Sequence, residues 1–180
     1  EVLEARAVVL APGAHDGVLA FDGNDLPGVM SARAACLLLR HRVLVGSRIV
    51  VVAPDGGGPF GEAFDASVRA REAKCEVTLV RGTPIAARGS SAVKSVSIRE
   101  HDGTTREIRA DALLADAPRA PAYELPEQAG AELVHEPRGF VPKTDRGKIR
   151  DRFFVVGEAA GLPLEATALQ SQAHDVLAQL

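Results

Sequence analysis

Short apolar runs without polar alternation recur along the chain. They lie at residues 5–11, 48–53, 75–80, 112–116 and 153–156. Such runs are typical of strands that are covered on both faces in a parallel sheet. The pattern therefore predicts an α/β chain built around parallel strands. The positions predicted to lie in its core are Val8, Leu10, Val50, Val52, Val77, Phe154 and Val156.

Helical periodicity separates these runs. Ser31 is a predicted N-cap for a helix that reaches about Leu44. Apolar residues then recur at every fourth position from Phe60 to Val68, which predicts an amphipathic helix between the second and third strands. This order predicts a right-handed βαβ unit, the smallest unit that can hold a pyrophosphate. A last helix is predicted over 164–180, with one apolar side docked on the protein.

A different pattern follows the third strand. Polar and apolar residues alternate over 93–99 and again over 105–109, and Asp102-Gly103 lies between the two segments. Alternation on either side of a turn signal predicts an antiparallel hairpin.

Composition narrows the possible functions. A chain of 180 residues with 46% hydrophobic residues suits one domain or two small intertwined ones. The net charge of -3 gives no electrostatic footprint for nucleic acid or an acidic membrane. No apolar run approaches the roughly 20 residues that span a bilayer. Because no signal peptide precedes Glu1, we expect a cytoplasmic location.

The chain offers few groups for catalysis or metal binding. Its 5 histidines share no metal-ligand spacing, so no metal site is predicted. Cys36 and Cys75 form no C-x-x-C pair, and we interpret them as buried apolar thiols rather than a redox disulfide. No serine or cysteine lies in a nucleophile elbow. The sequence therefore identifies no catalytic residue.

A glycine loop is the clearest candidate site. Gly56, Gly58 and Gly61 have the G-x-G-x-x-G spacing, after an apolar strand and before an amphipathic helix. Backbone amides of such a loop, with the positive end of the helix, bind a pyrophosphate without any side chain. However, Asp55 would place a carboxylate beside the phosphates. The alternative is a tight packing turn that binds nothing.

Arg81 follows the second strand of this βαβ unit, roughly 20 residues beyond the loop. Dinucleotide folds specific for NAD place an acid there, whereas those specific for NADP place a cation. The position therefore favours NADP(H) if the loop binds a dinucleotide. The alternative is a solvated arginine at a strand end.

Four short segments carry a resemblance to a known family. They are GAHD at 13–16, LPGVMS at 26–31, ARAA at 32–35 and GPFG at 58–61. With the ordered strands, they resemble flavoprotein oxidoreductases with two dinucleotide folds, above all the alpha subunits of heteromeric sarcosine oxidases, opine oxidases and hydrogen cyanide synthase. The resemblance implies a Rossmann-like parallel sheet in a split FAD-type domain, with an NAD(P)-type domain inserted.

The resemblance also implies a domain organisation. Residues 1–45 would be a return segment of the FAD-type domain and a linker, 46–117 a shortened NAD(P)-type βαβ domain, and 118–180 the C-terminal segment of the FAD-type domain. The N-terminal glycine loop that grips ADP in the family is not among these residues, so we expect an incomplete FAD site and weak or no FAD binding.

Two turns would contribute to that FAD site. By the resemblance, Ala11 and Gly13 close the first return strand, and Gly157, Glu158 and Ala159 form the turn that receives the ribityl hydroxyls. Glu158 stands where the family has aspartate.

The implied activity is flavin-dependent oxidation of a secondary amine or amino acid, with a partner subunit that carries the catalytic flavin or the substrate site. NAD(P) is a possible second cofactor. Two alternatives remain open: a non-catalytic scaffold or nucleotide-binding domain of a heteromeric oxidase, and a separate NADP-binding module based on the glycine loop.

Overall fold

The computed structural model describes residues 4–55 and 57–180, which divide into two compact units. Unit 1 consists of residues 4–15 and Arg119–Leu180, and unit 2 consists of Asp16–Pro118. In chain order, the strands are β1 (Val8–Leu10), β2 (Ala14–His15), β3 (Val29–Ser31), β4 (Arg48–Ala53), β5 (Glu76–Arg88), β6 (Ser95–Glu100), β7 (Thr105–Arg109), β8 (Ala112–Ala115), β9 (Ala120–Pro121), β10 (Leu133–Glu136), β11 (Gly139–Pro142), β12 (Lys148–Arg150) and β13 (Phe153–Val155). The helices are α1 (Ala32–Arg40), α2 (Phe60–Ala70), α3 (Glu124–Gln128) and α4 (Ala166–Leu177), and a short 3₁₀ helix spans Gly157–Ala160.

Unit 2 is built on a six-stranded sheet in the order β3-β8-β4-β5-β6-β7. The first four strands are parallel, and β5, β6 and β7 are antiparallel neighbours. The apolar run in β4 is buried on both faces, as the sequence predicts. Ile49 and Val51 pack with helices α1 and α2, whereas Val50 and Val52 pack with residues of β6 and β8 on the other face.

The antiparallel half of this sheet begins within β5 itself. This strand is 13 residues long, so it pairs with β4 through its first half and with β6 through its second. The change of partner falls at Gly82. A Cβ at this position would lie 2.4 Å from the carbonyl oxygen of Arg99, so the close approach of β6 requires glycine here. The predicted hairpin over 93–109 is confirmed, and β5 leads directly into it.

The first helix belongs to unit 2 as well. The Ser31 hydroxyl accepts a hydrogen bond from the Ala34 backbone N–H at 3.1 Å, which confirms the predicted N-cap. The helix ends at Arg40 rather than near Leu44, because Arg42 takes a left-handed backbone conformation with φ 65°. Strand β3 pairs with β8, and helix α1 packs against α2. Residues 16–45 therefore lie in unit 2. The sequence instead predicts that the FAD-type return segment and its linker extend to residue 45.

Unit 1 contains a three-stranded sheet in the order β1-β13-β12. Strands β1 and β13 are parallel, and β12 is antiparallel to β13. Phe154 is buried as predicted, whereas Val8, Leu10 and Val156 are half-buried. Val77, on β5 of unit 2, is also half-buried. The smaller pairs β10-β11 and β2-β9 complete the strands of this unit.

Helix α4 ends unit 1 and differs from its predicted packing. Val176 is buried, but Leu177 and Leu180 are 66% and 61% exposed. The apolar side of α4 is therefore less covered than predicted. No helix among residues 4–55 and 57–180 combines the length and the apolar character needed to cross a bilayer.

Candidate dinucleotide-binding sites

The glycine loop of unit 2 lies where the sequence predicts it, between β4 and α2. Gly56 lies outside the described residues, so its predicted role is not described. Helix α2 begins after Pro59, which has no side chain able to cap it. The backbone N–H groups of the first helical turn therefore need another acceptor.

Asp116 supplies that acceptor. It follows β8 directly and is 4% exposed. The Gly61 N–H donates to its Oδ2 at 2.8 Å, and the Phe60 N–H also donates to this carboxylate. The Gly58 N–H donates to the Asp116 backbone carbonyl at 3.3 Å. An anion from the chain itself thus occupies the place where a phosphate would bind in a dinucleotide site.

The glycines of the loop are also explained by internal packing. A Cβ at Gly57 would lie 2.4 Å from the Asp116 carbonyl oxygen, and one at Gly61 would lie 2.7 Å from Cγ1 of Val51. A Cβ at Gly58 would lie 3.0 Å from Oδ1 of Asp116. These contacts favour the alternative of a tight packing turn.

The electrostatics around Asp116 are unfavourable for a second anion. Burial raises the pKa of this carboxyl, and the negative charges of Asp16 and Glu62 raise it further, while the two backbone N–H donors oppose the rise. A phosphate brought to the same amides would meet this carboxyl and the partly acidic rim around it. The residues present therefore do not fit a dinucleotide pyrophosphate.

Arg81 lies within β5 rather than after the strand as predicted, because β5 continues to Arg88; it pairs with Ala53 at the end of the parallel pairing between β4 and β5. Its side chain is 80% exposed, with Nη2 3.7 Å from Oε1 of Glu62. It lines an open cavity of about 410 Å³. The other residues of this cavity are Leu79, Val80, Glu100, His101, Asp102 and Arg106. The role of Arg81 in selecting NADP(H) stays a prediction.

Unit 1 holds the second candidate site, in the turn after β13. Gly157, Glu158 and Ala159 form the 3₁₀ helix, in which Ala159 is fully buried. Gly157 has a φ of 74°, which glycine adopts at little cost. Its N–H donates to the side-chain oxygen of Gln172 on α4 at 2.7 Å. The turn is therefore fixed from one side by the last helix.

Arg119 fixes the same turn from the other side. Its Nη1 donates to both carboxylate oxygens of Glu158, at 2.6 and 2.5 Å, and its Nη2 donates to the Ala14 carbonyl at 2.7 Å. The side chains of Arg119 and Glu158 are only 11% and 16% exposed. One guanidinium therefore connects the turn after β13 to the strand that follows Gly13.

The predicted residues of the first turn are more open. Ala11 is exposed, and Gly13 is half-buried with a φ of 80°. No heavy atom lies within 4 Å of a Cβ built on Gly13, so only its backbone conformation requires glycine.

Glu158 keeps its capacity to accept hydrogen bonds. Each carboxylate oxygen has two lone-pair sites, so an oxygen bound to Arg119 can still accept from a hydroxyl. The guanidinium holds the carboxylate in one orientation, and Gly157 has no side chain to obstruct its surroundings. These residues fit the hydroxyl-bearing chain of a flavin.

Both cysteines have raised thiol pKa values, chiefly because of burial. Neither forms a disulfide. Both side chains are half-buried rather than buried as predicted. In the part of the chain that the structure describes, no cluster of three His, Cys, Asp or Glu side chains is arranged to hold a metal ion.

Three residues that define these turns are not predicted from the sequence: Asp116, Arg119 and Gln172. Asp116 carries a detectable signal, because it directly follows an apolar strand whose carboxyl end neighbours that of β4. Arg119 and Gln172 carry no such signal, since their partners lie 39 and 15 residues away in the chain.

Comparison with known proteins supports the fold. No protein-family model matches the chain, and no curated protein matches its sequence. Among solved structures, L-proline dehydrogenase from P. horikoshii is 25% identical, with a TM-score of 0.71 over 86% of this chain and 30% of that chain. Thioredoxin reductase from T. acidophilum is 14% identical, with a TM-score of 0.60 over 95% of this chain and 62% of that chain.

A third neighbour is the HOCl-induced flavoprotein disulfide reductase of Escherichia coli, which is 14% identical, with a TM-score of 0.62 over 96% of this chain and 44% of that chain. The chain thus spans between 30% and 62% of the length of these three structures. It has the mixed α/β, Rossmann-like fold of such oxidoreductases, which confirms the predicted fold class.

Proposed function

We propose that the chain is part of a flavin-dependent oxidoreductase that oxidises a secondary amine or an amino acid, as sarcosine and opine oxidases do. The observation that carries the proposal is the likeness to L-proline dehydrogenase over most of the chain. Proline is both a secondary amine and an amino acid. The short motifs that resemble those of sarcosine and opine oxidase alpha subunits support the same substrate class.

Within this proposal, unit 1 contributes to the flavin site. Glu158, oriented by Arg119, accepts a hydrogen bond from a ribityl hydroxyl, and Gly157 leaves room for that approach. Ala11, Gly13 and Ala159 shape the two turns on either side. When bound, a flavin supplies the hydride acceptor, while the protein contributes position and electrostatics.

The proposal also includes a partner subunit that carries the catalytic flavin or the substrate site, as in the heteromeric enzymes that the sequence resembles. The roles derived for this chain are binding and orientation. None of its described residues is assigned a catalytic role.

A second candidate function is a non-catalytic scaffold in the same kind of assembly. The observation that favours it is that each candidate turn already has partners from the chain itself. Asp116 accepts from the glycine loop in unit 2, and Gln172 and Arg119 bind the turn after β13 in unit 1.

Anaerobic reduction distinguishes the two candidates. The protein would be purified with the subunits that accompany it and mixed with L-proline or sarcosine, and the flavin absorbance would be recorded. The oxidoreductase proposal predicts bleaching by one of these secondary amines, with a primary amine such as ethylamine as the control. A preparation without flavin would favour the scaffold, and a bound flavin that only a non-amine substrate bleaches would contradict the proposed substrate class.

A further inference from the structure

We infer that Asp116 is the resident anion of the glycine loop and closes unit 2 to NAD(H) and NADP(H). The inference concerns unit 2 alone and holds whether or not unit 1 binds a flavin. In this arrangement the backbone N–H donors of the loop are already bound to Asp116 of the same chain.

The first support is the placement of the carboxylate. Pyrophosphate binding at a glycine loop needs the backbone N–H groups at the start of the following helix. In unit 2, the Phe60 and Gly61 N–H groups donate to the Asp116 side chain instead. A phosphate oxygen would have to displace a hydrogen-bonded carboxylate from a buried position.

The second support is that Asp116 is held at its backbone. Its N–H donates to the Val52 carbonyl at 2.9 Å, and its own carbonyl accepts from Gly58 at 3.3 Å. The residue is thereby fixed between the end of β4 and the glycine loop. Only rotation of the Asp116 side chain could free the N–H groups at the start of α2. Such a rotation has little room, because the residue is almost completely buried.

The third support is charge. Glu62 lies in the first turn of α2, and Asp55 in the loop is 91% exposed. Arg81 lies 3.7 Å from Glu62 and His101 lies 3.6 Å from Asp55, so the rim is only partly acidic. The buried Asp116 is therefore the main negative charge that an incoming pyrophosphate would meet. Like charges at short range oppose binding, and burial of one of them strengthens the effect.

Titration of NADH, NADPH and inorganic pyrophosphate into the protein tests the inference. Calorimetry would measure affinity, and NMR would follow the Gly58 and Gly61 amide resonances. The unaltered protein should show no saturable binding up to about 1 mM, a concentration at which even weak specific ligands bind. Asp116→Ser removes the carboxylate, and we expect it to gain at least about tenfold in affinity for pyrophosphate and NADPH, as expected when a charge-assisted hydrogen bond becomes available to the ligand.

Two matched controls separate occupation of the amides from simple repulsion. Asp55→Asn and Glu62→Gln each remove one negative charge from the rim but leave Asp116 in place, so neither should open the loop. Saturable NADH or NADPH binding by the unaltered protein would overturn the inference, even if Asp116→Ser failed to fold. A folded Asp116→Ser protein without any gain, or an equal gain in either control, would overturn it too.

Discussion

Two carboxylates dominate the candidate sites, and each is held by a different kind of donor. Asp116 accepts from backbone amides at the start of a helix, whereas Glu158 accepts from the guanidinium of Arg119. Backbone amides bring no counter-charge to the buried Asp116 carboxyl, whereas the guanidinium of Arg119 balances the charge of Glu158. Asp116 therefore occupies the N–H groups at the start of α2, whereas Glu158 can still accept a hydrogen bond from a further donor.

The raised pKa of Asp116 gives a testable pH dependence of stability. Because burial raises this pKa in the folded state, the folded protein binds more protons than the unfolded one between the unfolded carboxyl pKa of about 3.9 and the folded value. The contribution of Asp116 to stability is therefore fully present below about pH 3.9 and is lost as pH rises through the folded pKa.

Urea unfolding at several pH values checks this expectation. Asp116→Asn removes the titrating group and keeps a side-chain oxygen near the amides. The free energy of unfolding of the unaltered protein, measured relative to this variant, should rise as the pH is lowered from neutral toward about 4. A difference that stays constant with pH, or that rises toward neutral pH, would show that the carboxyl pKa is not raised.

Among the strands and helices, the sequence predicts those features that depend on the local pattern of residues. The strand β4 and the start of α1 follow from runs of buried residues and from the Ser31 cap, and both are confirmed. The end of α1 and the packing of α4 do not follow, because they depend on the left-handed conformation of Arg42 and on how few neighbours cover Leu177. Those are tertiary properties that periodicity does not contain.

Helix α2 packs closely on β4 at Gly61. Gly61→Ala would place a Cβ 2.7 Å from Cγ1 of Val51, which is fully buried in the middle of β4. We expect this variant to lose about 1–3 kcal/mol in the free energy of unfolding, because helix and strand must move apart.

Chemical denaturation measures the effect, with Ala63→Ser at an exposed position of the same helix as a control that should change stability much less. If Gly61→Ala proved as stable as this control, the close packing of α2 on β4 would not be a constraint, and the glycine would need another explanation.

For the whole molecule, the Rossmann-like fold could be predicted from the order of strands, while the content of its sites could not. The glycine spacing predicts a loop between β4 and α2, but Asp116 lies 55 residues beyond Gly61 and reaches it only through the parallel pairing of β4 with β8. Arg119 likewise meets Glu158 only in the folded unit 1. Local sequence patterns therefore predict where each turn lies, whereas its long-range partners do not follow from those patterns.

Titration with FAD tests whether unit 1 presents Glu158 to a flavin. FAD fluorescence would be followed as the protein is added, for the unaltered chain and for Glu158→Gln, with Glu127→Gln on the exposed side of α3 as the control. We expect weak binding that Glu158→Gln weakens by at least about tenfold, since a charge-assisted hydrogen bond is lost, and that Glu127→Gln leaves unchanged. Stoichiometric, tight flavin binding by the unaltered chain, or equal affinity of all three proteins, would contradict this role for Glu158.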